Sequence, residues 1–214
     1  SLAERALVPA FVFFFALLYP FARVNDPKSR TAGAAGGTIL LERAMLRLIG
    51  GIDALKGALI DDCTLARCVK EAGGLLYLGH SQLARSIRPY PGPADIWRMI
   101  ARTAYVQLRF SPLLLALTVL GMLLVWVLPA MLGLFAQGPT RWIGAATWLV
   151  SICSFLPTLR RFGLSPLWAL ALPFIASFYT AATIGSAVNH HRGRGVVWKN
   201  RSYTDAIPND GRAS

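Results

Sequence analysis

Charged residues are scarce in this chain. They make up 15% of its 214 residues, against about 25% in an average soluble domain. That deficit, with a mean hydropathy of +0.49, argues against a water-soluble globular protein and for a membrane protein. Acids are scarcer than bases: 10 Asp and Glu stand against 22 Lys and Arg, for a net charge of +12. Cysteine is nearly absent. Cys63, Cys68 and Cys153 are odd in number and form no Cys-x-x-Cys, which argues against a disulfide framework or a zinc site. They read as small buried apolar residues. There is no internal repeat and no low-complexity tract. The chain opens on Ser1 rather than Met, and without a signal-peptide pattern. The expectation is a fragment whose N-terminal part is absent.

The positive charge is not arranged for nucleic acid, because no basic-aromatic module occurs. It flanks apolar segments instead. Arg98, Arg102 and Arg109 precede the first, Arg160 and Arg161 precede the third, and Arg192, Arg194, Lys199 and Arg201 follow it. That is the pattern of a protein facing anionic lipid. The segments lie at roughly 112–136, 142–157 and 165–188. A span needs about 20 apolar residues, so the middle segment is short. If all three cross, Arg160-Arg161 and the basic tail fall on opposite sides, against the positive-inside rule. The short middle segment is therefore the candidate for a re-entrant one.

Upstream, residues 5–23 read as an apolar helix broken at Pro20. It is either a segment in the bilayer interface or an ordinary core helix. Residues 38–49 start strand-like with TILL and turn helical, with Gly50-Gly51 as the stop. Residues 63–72 predict a helix closed by Gly73-Gly74, and LLYLGH at 75–80 reads as a short buried strand. RPYPGP at 88–93 is an extended connector, since its three prolines exclude helix. Residues 94–110 predict an amphipathic helix on the membrane surface, with Ile96, Trp97, Ile100, Ala104 and Leu108 in its apolar stripe.

The residues able to carry chemistry are few. Asp61-Asp62 stands at a helix start. Asp62 fits an N-cap, and it equally fits a general base. Arg98 and Arg102, four apart on one helix face, suit diphosphate oxygens or lipid headgroups. Gly36-Gly37 is either a turn or a place where backbone approaches a ligand closely. His80 follows an apolar stretch and reads as structural, and His190-His191 sits in the basic tail.

The order of these pieces resembles the C-terminal half of a membrane-bound family 2 glycosyltransferase, of the hopanoid-biosynthesis-associated kind. The phrases LVPAFVFFFALLYPFARVNDP, AAGGTILLER, GALIDDCTLA, RPYPGPADIWRMIARTAYVQLRFSPLLLA, FGLSPLWALALP and GRGVVWKNRSY carry the resemblance over nearly the whole chain. It implies the C-terminal part of an α/β GT-A domain over 1–93, an interfacial helix over 94–110, a transmembrane region over 111–189 and a basic polar tail over 190–214. It implies sugar transfer with inversion from a nucleotide-sugar donor to a membrane lipid, a hopanoid or related isoprenoid. The place implied is the bacterial inner membrane, with the catalytic part cytoplasmic. Asp62 would be the base and Asp61 would orient the site. Arg102 matches the Arg of the family's Gln-x-x-Arg-Trp motif, and Gly36 and Gly37 would border the acceptor pocket. In that motif Met99 replaces Gln and Thr103 replaces Trp, so Arg98 or Trp97 would have to compensate. The family's Mg or Mn ion is held by an Asp-x-Asp that does not occur in this sequence. The expectation is a chain lacking the metal- and nucleotide-binding half. The competing reading is a non-catalytic, truncated membrane protein that binds lipid or a partner. A small transporter is disfavoured, because the apolar segments hold no acidic residue for ion coupling.

Overall fold

The computed structural model describes residues 1–81, 83, 86–87, 89–193, 196–198 and 201–203. The chain divides into two compact units. One is Ser1–Leu18 with Arg88–Val188, and the other is Tyr19–Ile87 with Asn189–Ser214.

The first unit begins with α1 (Leu2–Leu18). It resumes at α5 (Pro93–Gln107), where Pro93 takes the first helical position and Asp95 accepts from the Gly92 N–H. A turn then leads into the first apolar segment, Pro112–Phe135. Two consecutive residues in this turn, Arg109 (φ 51°) and Phe110 (φ 55°), are left-handed although neither is glycine. The segment consists of α6 (Pro112–Met122), a π-helical turn (Leu123–Val127) and α7 (Leu128–Phe135). The π turn has a cause in the sequence. Pro129 offers no N–H, and the Leu128 N–H reaches five residues back to the Leu123 carbonyl. Helix α8 (Gly138–Arg161) returns alongside α7. A 3₁₀ turn (Pro166–Ala171) and α9 (Leu172–His191) complete the apolar part.

The α7–α8 hairpin closes through small residues. A Cβ on Gly144 would sit 2.6 Å from the Gly133 nitrogen and 2.6 Å from Leu132 Cβ, so the backbones touch. The middle segment is thus 24 residues long and apolar enough to cross a membrane, as are Pro112–Phe135 and Pro166–His191. This corrects the expectation of a short middle segment. Gly138, Pro139 and the residues past Pro157 all belong to the helix, and Pro157 is accommodated within it.

The core of this unit joins α1, α5, α8 and α9. Leu7, Ala10 and Phe13 of α1 pack with Ile96 and Ile100, Phe155 and Leu159, and Leu172, Ile175 and Tyr179. The α1 segment is therefore a packed core helix on one face, with Phe11, Leu17 and Leu18 exposed on the others. The hairpin's outer surface is apolar and uncovered: only 11% of the first segment's most apolar window is buried in protein. Leu113, Leu117, Leu149 and Val150 point outward as lipid-facing residues would.

The second unit contains α2 (Phe21–Asn25), α3 (Arg43–Leu48), a 3₁₀ turn (Ile52–Leu55) and α4 (Asp61–Glu71). Gly50 (φ 89°) and Gly51 (φ 75°) stop α3 as the sequence predicts. Gly73 (φ 82°) stops α4, where the Gly74 N–H reaches the Val69 carbonyl. The expected GT-A α/β domain is not what the chain forms. TILL and LLYLGH are irregular backbone. Among the described residues the strands are β1 (Val196–Trp198) and β2 (Arg201–Tyr203), an antiparallel pair with Val196 opposite Tyr203. Strand pairing is non-local, so an apolar run without a partner strand gains no ladder. At Leu78 the backbone N–H and C=O are both taken by the Asn25 side chain, at 2.6 and 3.1 Å. Parts of the basic tail (194–195, 199–200 and 204–214) lie outside the described residues.

The glycine contact predicts a clear asymmetry. Gly144→Val should destabilise the protein by about 1–3 kcal/mol through overpacking. Gly121→Ala, where a Cβ meets nothing within 4 Å, should not. Thermal unfolding in detergent micelles measures both.

Candidate functional site

In the second unit, α4 opens at Asp61, and its N-cap is Ile60, which provides no side-chain cap. Asp61 and Asp62 are the first two residues of the helix, so Asp62 is not the N-cap that its sequence position allows. The pair lies where the helix dipole favours negative charge. Its hydrogen bonds are specific. Asp62 Oδ2 accepts from the Gly36 N–H at 2.8 Å, and Oδ1 accepts from the Cys63 N–H at 2.7 Å. Asp61 Oδ1 accepts from the Asp62 N–H at 3.1 Å. Each Asp62 oxygen is anchored once, which fixes the carboxylate plane and leaves each oxygen a further lone pair. Asp62 is half-buried and Asp61 exposed.

The glycine pair acts unequally. A Cβ on Gly36 would lie 3.2 Å from Asp62 Oδ2, whereas one on Gly37 would meet nothing within 4 Å. Gly36 is thus a close approach of backbone to carboxylate, and Gly37 faces open space. The same loop is held again at Cys63, whose Sγ lies 3.6 Å from the Ala34 carbonyl oxygen. Burial pushes the Cys63 thiol up from its ordinary range. Of the other cysteines, Cys68 is half-buried and Cys153 is exposed on α8 rather than buried.

A residue that sequence reasoning missed holds this loop to α4. Lys70 Nζ donates to three carbonyl oxygens: Thr31 at 2.7 Å, Val24 at 2.9 Å and Arg23 at 3.3 Å. All three ammonium protons find acceptors on one stretch of chain. The one available signal was a lysine on the last turn of a short helix, which is equally the signature of a dipole-favoured solvent residue. His80 is exposed, its ring 4.9 Å from Phe21.

The arginines belong to the other unit. On α5, Ile96 and Ile100 are buried. Arg98 and Arg102 lie across the helix from that pair. Arg98 is exposed and its guanidinium pairs with Asp95 one turn earlier, while Arg102 is half-buried. Trp97 is a packing residue: its ring meets Phe178 edge-on at 5.5 Å, and a Cβ on Gly185 would lie 2.9 Å from it. The structure therefore brings Gly36 to Asp62 and Asp95 to Arg98. The acidic pair and the arginines belong to different units.

Among the described residues no three His, Cys, Asp or Glu side chains gather as a metal site would require. Asp61 and Asp62 alone do not furnish a Mg or Mn ligand set.

A fixed carboxylate pair at a helix start, on a chain with segments apolar enough for a bilayer, defines the class as a membrane-associated protein with a candidate general base. Comparison with protein families resolves the class further: the glycosyl transferase family 21 profile matches residues 19–207, and the chain belongs to that family. Glycosyl transfer is thus the activity of the family, and the match is to family 21 rather than to the family 2 that the sequence resembles. No curated protein and no solved structure matches the chain.

The anchoring contacts make a prediction. Lys70→Met should remove the charged hydrogen bonds to Arg23, Val24 and Thr31, at a cost on the order of 2–3 kcal/mol. Hydrogen exchange should rise at residues 23–36 while protection in α8 stays unchanged.

Proposed function

We propose that this protein is an inverting glycosyltransferase that moves a sugar from a nucleotide-sugar donor to a hydroxyl of a membrane lipid, with Asp62 as general base. The observation that carries the proposal is the anchored Asp62 carboxylate. Gly36 and Cys63 fix both of its oxygens, while a lone pair on each stays available. The acceptor oxygen forms a bond to the anomeric carbon, and its proton passes to Asp62. The bond from that carbon to the diphosphate breaks, and the nucleoside diphosphate leaves. One base suffices for such a displacement, and attack opposite the leaving group inverts the centre. Asp61, bonded to the Asp62 N–H, orients the base.

Arg102 is assigned to the diphosphate, where a guanidinium offsets the charge that grows on the leaving group. Arg98 is restrained by Asp95 and serves the same charge. The lipid acceptor is supported by the apolar surface of α6–α8, since an enzyme acting on a bilayer lipid gains from sitting in that bilayer. A hopanoid or related isoprenoid as acceptor, and the inner membrane with a cytoplasmic catalytic face as location, rest on the phrases GALIDDCTLA and RPYPGPADIWRMIARTAYVQLRF. These resemble enzymes of hopanoid biosynthesis.

Asp62→Asn should reduce sugar transfer by at least about a hundredfold, the scale of a lost general base, with membrane insertion kept and stability lowered by about 1–3 kcal/mol, because the amide can accept only one of the two backbone hydrogen bonds. Turnover within a few fold of the parent would remove Asp62 as the base. Arg102→Ala should weaken nucleotide-sugar binding in calorimetry. Unchanged donor affinity would assign Arg102 to lipid headgroups instead. If no nucleotide sugar binds or turns over in the membrane-embedded parent protein, the non-catalytic lipid-binding reading takes its place.

A further inference from the structure

Three segments are apolar and long enough to cross a bilayer, but contacts within the first unit place the start of the third and Ser186, near its last turn, at one end of the hairpin. The hairpin supplies the ruler. Its tip is the Phe135–Gly138 turn, and Gly133 against Gly144 sets the register. Its base is therefore Pro112 on one arm and Arg160-Arg161 on the other. The third segment starts at that base. It follows α8 directly, with the Leu164 N–H on the Leu159 carbonyl at 3.0 Å, and its 3₁₀ turn packs on α8.

The middle of the third segment is at mid-depth. Phe14 of α1 lies 6.0 Å from Trp126, in the π turn halfway along the first segment, and 5.1 Å from Tyr179. If α9 stood upright, Ser186 would lie about 10 Å beyond Tyr179 toward the tip. Pro112 would lie about 21 Å from Trp126 in the other direction.

The structure places Ser186 elsewhere. Its Oγ accepts from the Tyr105 N–H at 3.1 Å. The Tyr105 carbonyl in turn accepts from the Phe110 N–H at 3.0 Å, and Phe110 is two residues before Pro112. Ser186 is thus next to the residue that enters the hairpin base. The neighbouring Gly185 packs on Trp97, so α9 runs against α5 at this end. With Trp126 and Tyr179 level, an upright α9 would require about 30 Å, and with the rings offset by their full 6.0 and 5.1 Å spacings still about 20 Å, between points that two hydrogen bonds and two residues connect.

We infer that Pro166–His191 does not cross the bilayer but enters at the hairpin base and returns to it, lying with α1 and α5 in one leaflet. Of the three apolar segments, the hairpin's two arms then do the crossing. Burial agrees: 44% of the third segment's apolar window is covered by protein, against 11% and 22% for the hairpin arms. Charge agrees as well. Arg160 and Arg161 precede the segment, and Arg192, Arg194, Lys199 and Arg201 follow it. A returning segment puts both groups on one side, as the positive-inside rule requires. Three crossings would separate them.

The test is side-selective labelling of the full chain in sealed membrane vesicles of both orientations. Gln137→Cys marks the hairpin tip, Phe162→Cys the base and Arg192→Cys the end of α9, all at exposed positions. A membrane-impermeant maleimide is applied, and labelled peptides are read by mass spectrometry, so the native cysteines remain. Phe162→Cys and Arg192→Cys should lose labelling together in one vesicle orientation, and Gln137→Cys in the other. Labelling of Arg192→Cys together with Gln137→Cys would overturn the inference. Trypsin cleavage after Arg192 in the unsubstituted protein, from the side of Arg160-Arg161 or from the other, decides the same question without a variant.

Discussion

Phe13 of α1 meets Trp126 at 5.5 Å and Phe155 at 5.1 Å, while its neighbour Phe14 meets Tyr179 at 5.1 Å. These rings tie a separate N-terminal helix to all three apolar segments. The Tyr179 hydroxyl then donates to the Leu7 carbonyl oxygen at 2.8 Å, which satisfies a buried phenol where no water would reach it. Within hydrocarbon the hydrophobic effect gives no preference between protein and lipid. Shape and hydrogen bonds must hold helices together. The aromatic cluster provides the shape, and Tyr179–Leu7, with Tyr105–Ser186, provides the polar contacts. The placement of α5 follows from these contacts. With Ile96 and Ile100 committed to the core, Arg98 and Arg102 face the other way.

The second unit obeys a different constraint. Its helices are short, and α3 has no buried residue, so burial alone does not fix its loops. Polar side chains do so instead. Asn25 holds the backbone of Leu78, Lys70 holds three carbonyls, and Asp62 holds Gly36. Each contact gives a backbone group of irregular or helix-end chain a hydrogen-bond partner. Asp62 is therefore both a candidate base and a structural acceptor.

Local features were the legible ones. Gly50-Gly51 and Gly73 read as stops because positive φ belongs to glycine whatever the tertiary context. The start of α4 was legible to within one or two residues, and so was the first apolar segment. The strands were not, since TILL and LLYLGH have the composition of strands but strand formation depends on a partner that composition does not name. The middle segment was cut short at Trp142 and Pro157, because Arg141 and proline look like boundaries in sequence, whereas a membrane helix tolerates both near its ends. The role of Lys70 was hidden for a similar reason: its three acceptors are backbone atoms, which every sequence has. In the site, the Asp62–Gly36 contact was foreshadowed by residue types but not by distance along the chain.

The two glycines of the hairpin and the one beneath Trp97 have a common consequence. Gly133 and Gly144 let α7 and α8 touch, which narrows the hairpin. Gly185 leaves room for the Trp97 ring against α9, which lets α5 come close to that helix and the Tyr105 N–H reach Ser186. A larger residue at 185 would push α5 outward and break that hydrogen bond, releasing the helix that carries Arg98 and Arg102. The arginines therefore sit on a helix whose end is held by a contact one turn past Arg102. Any function assigned to those arginines rests on packing that the charged residues themselves do not reveal.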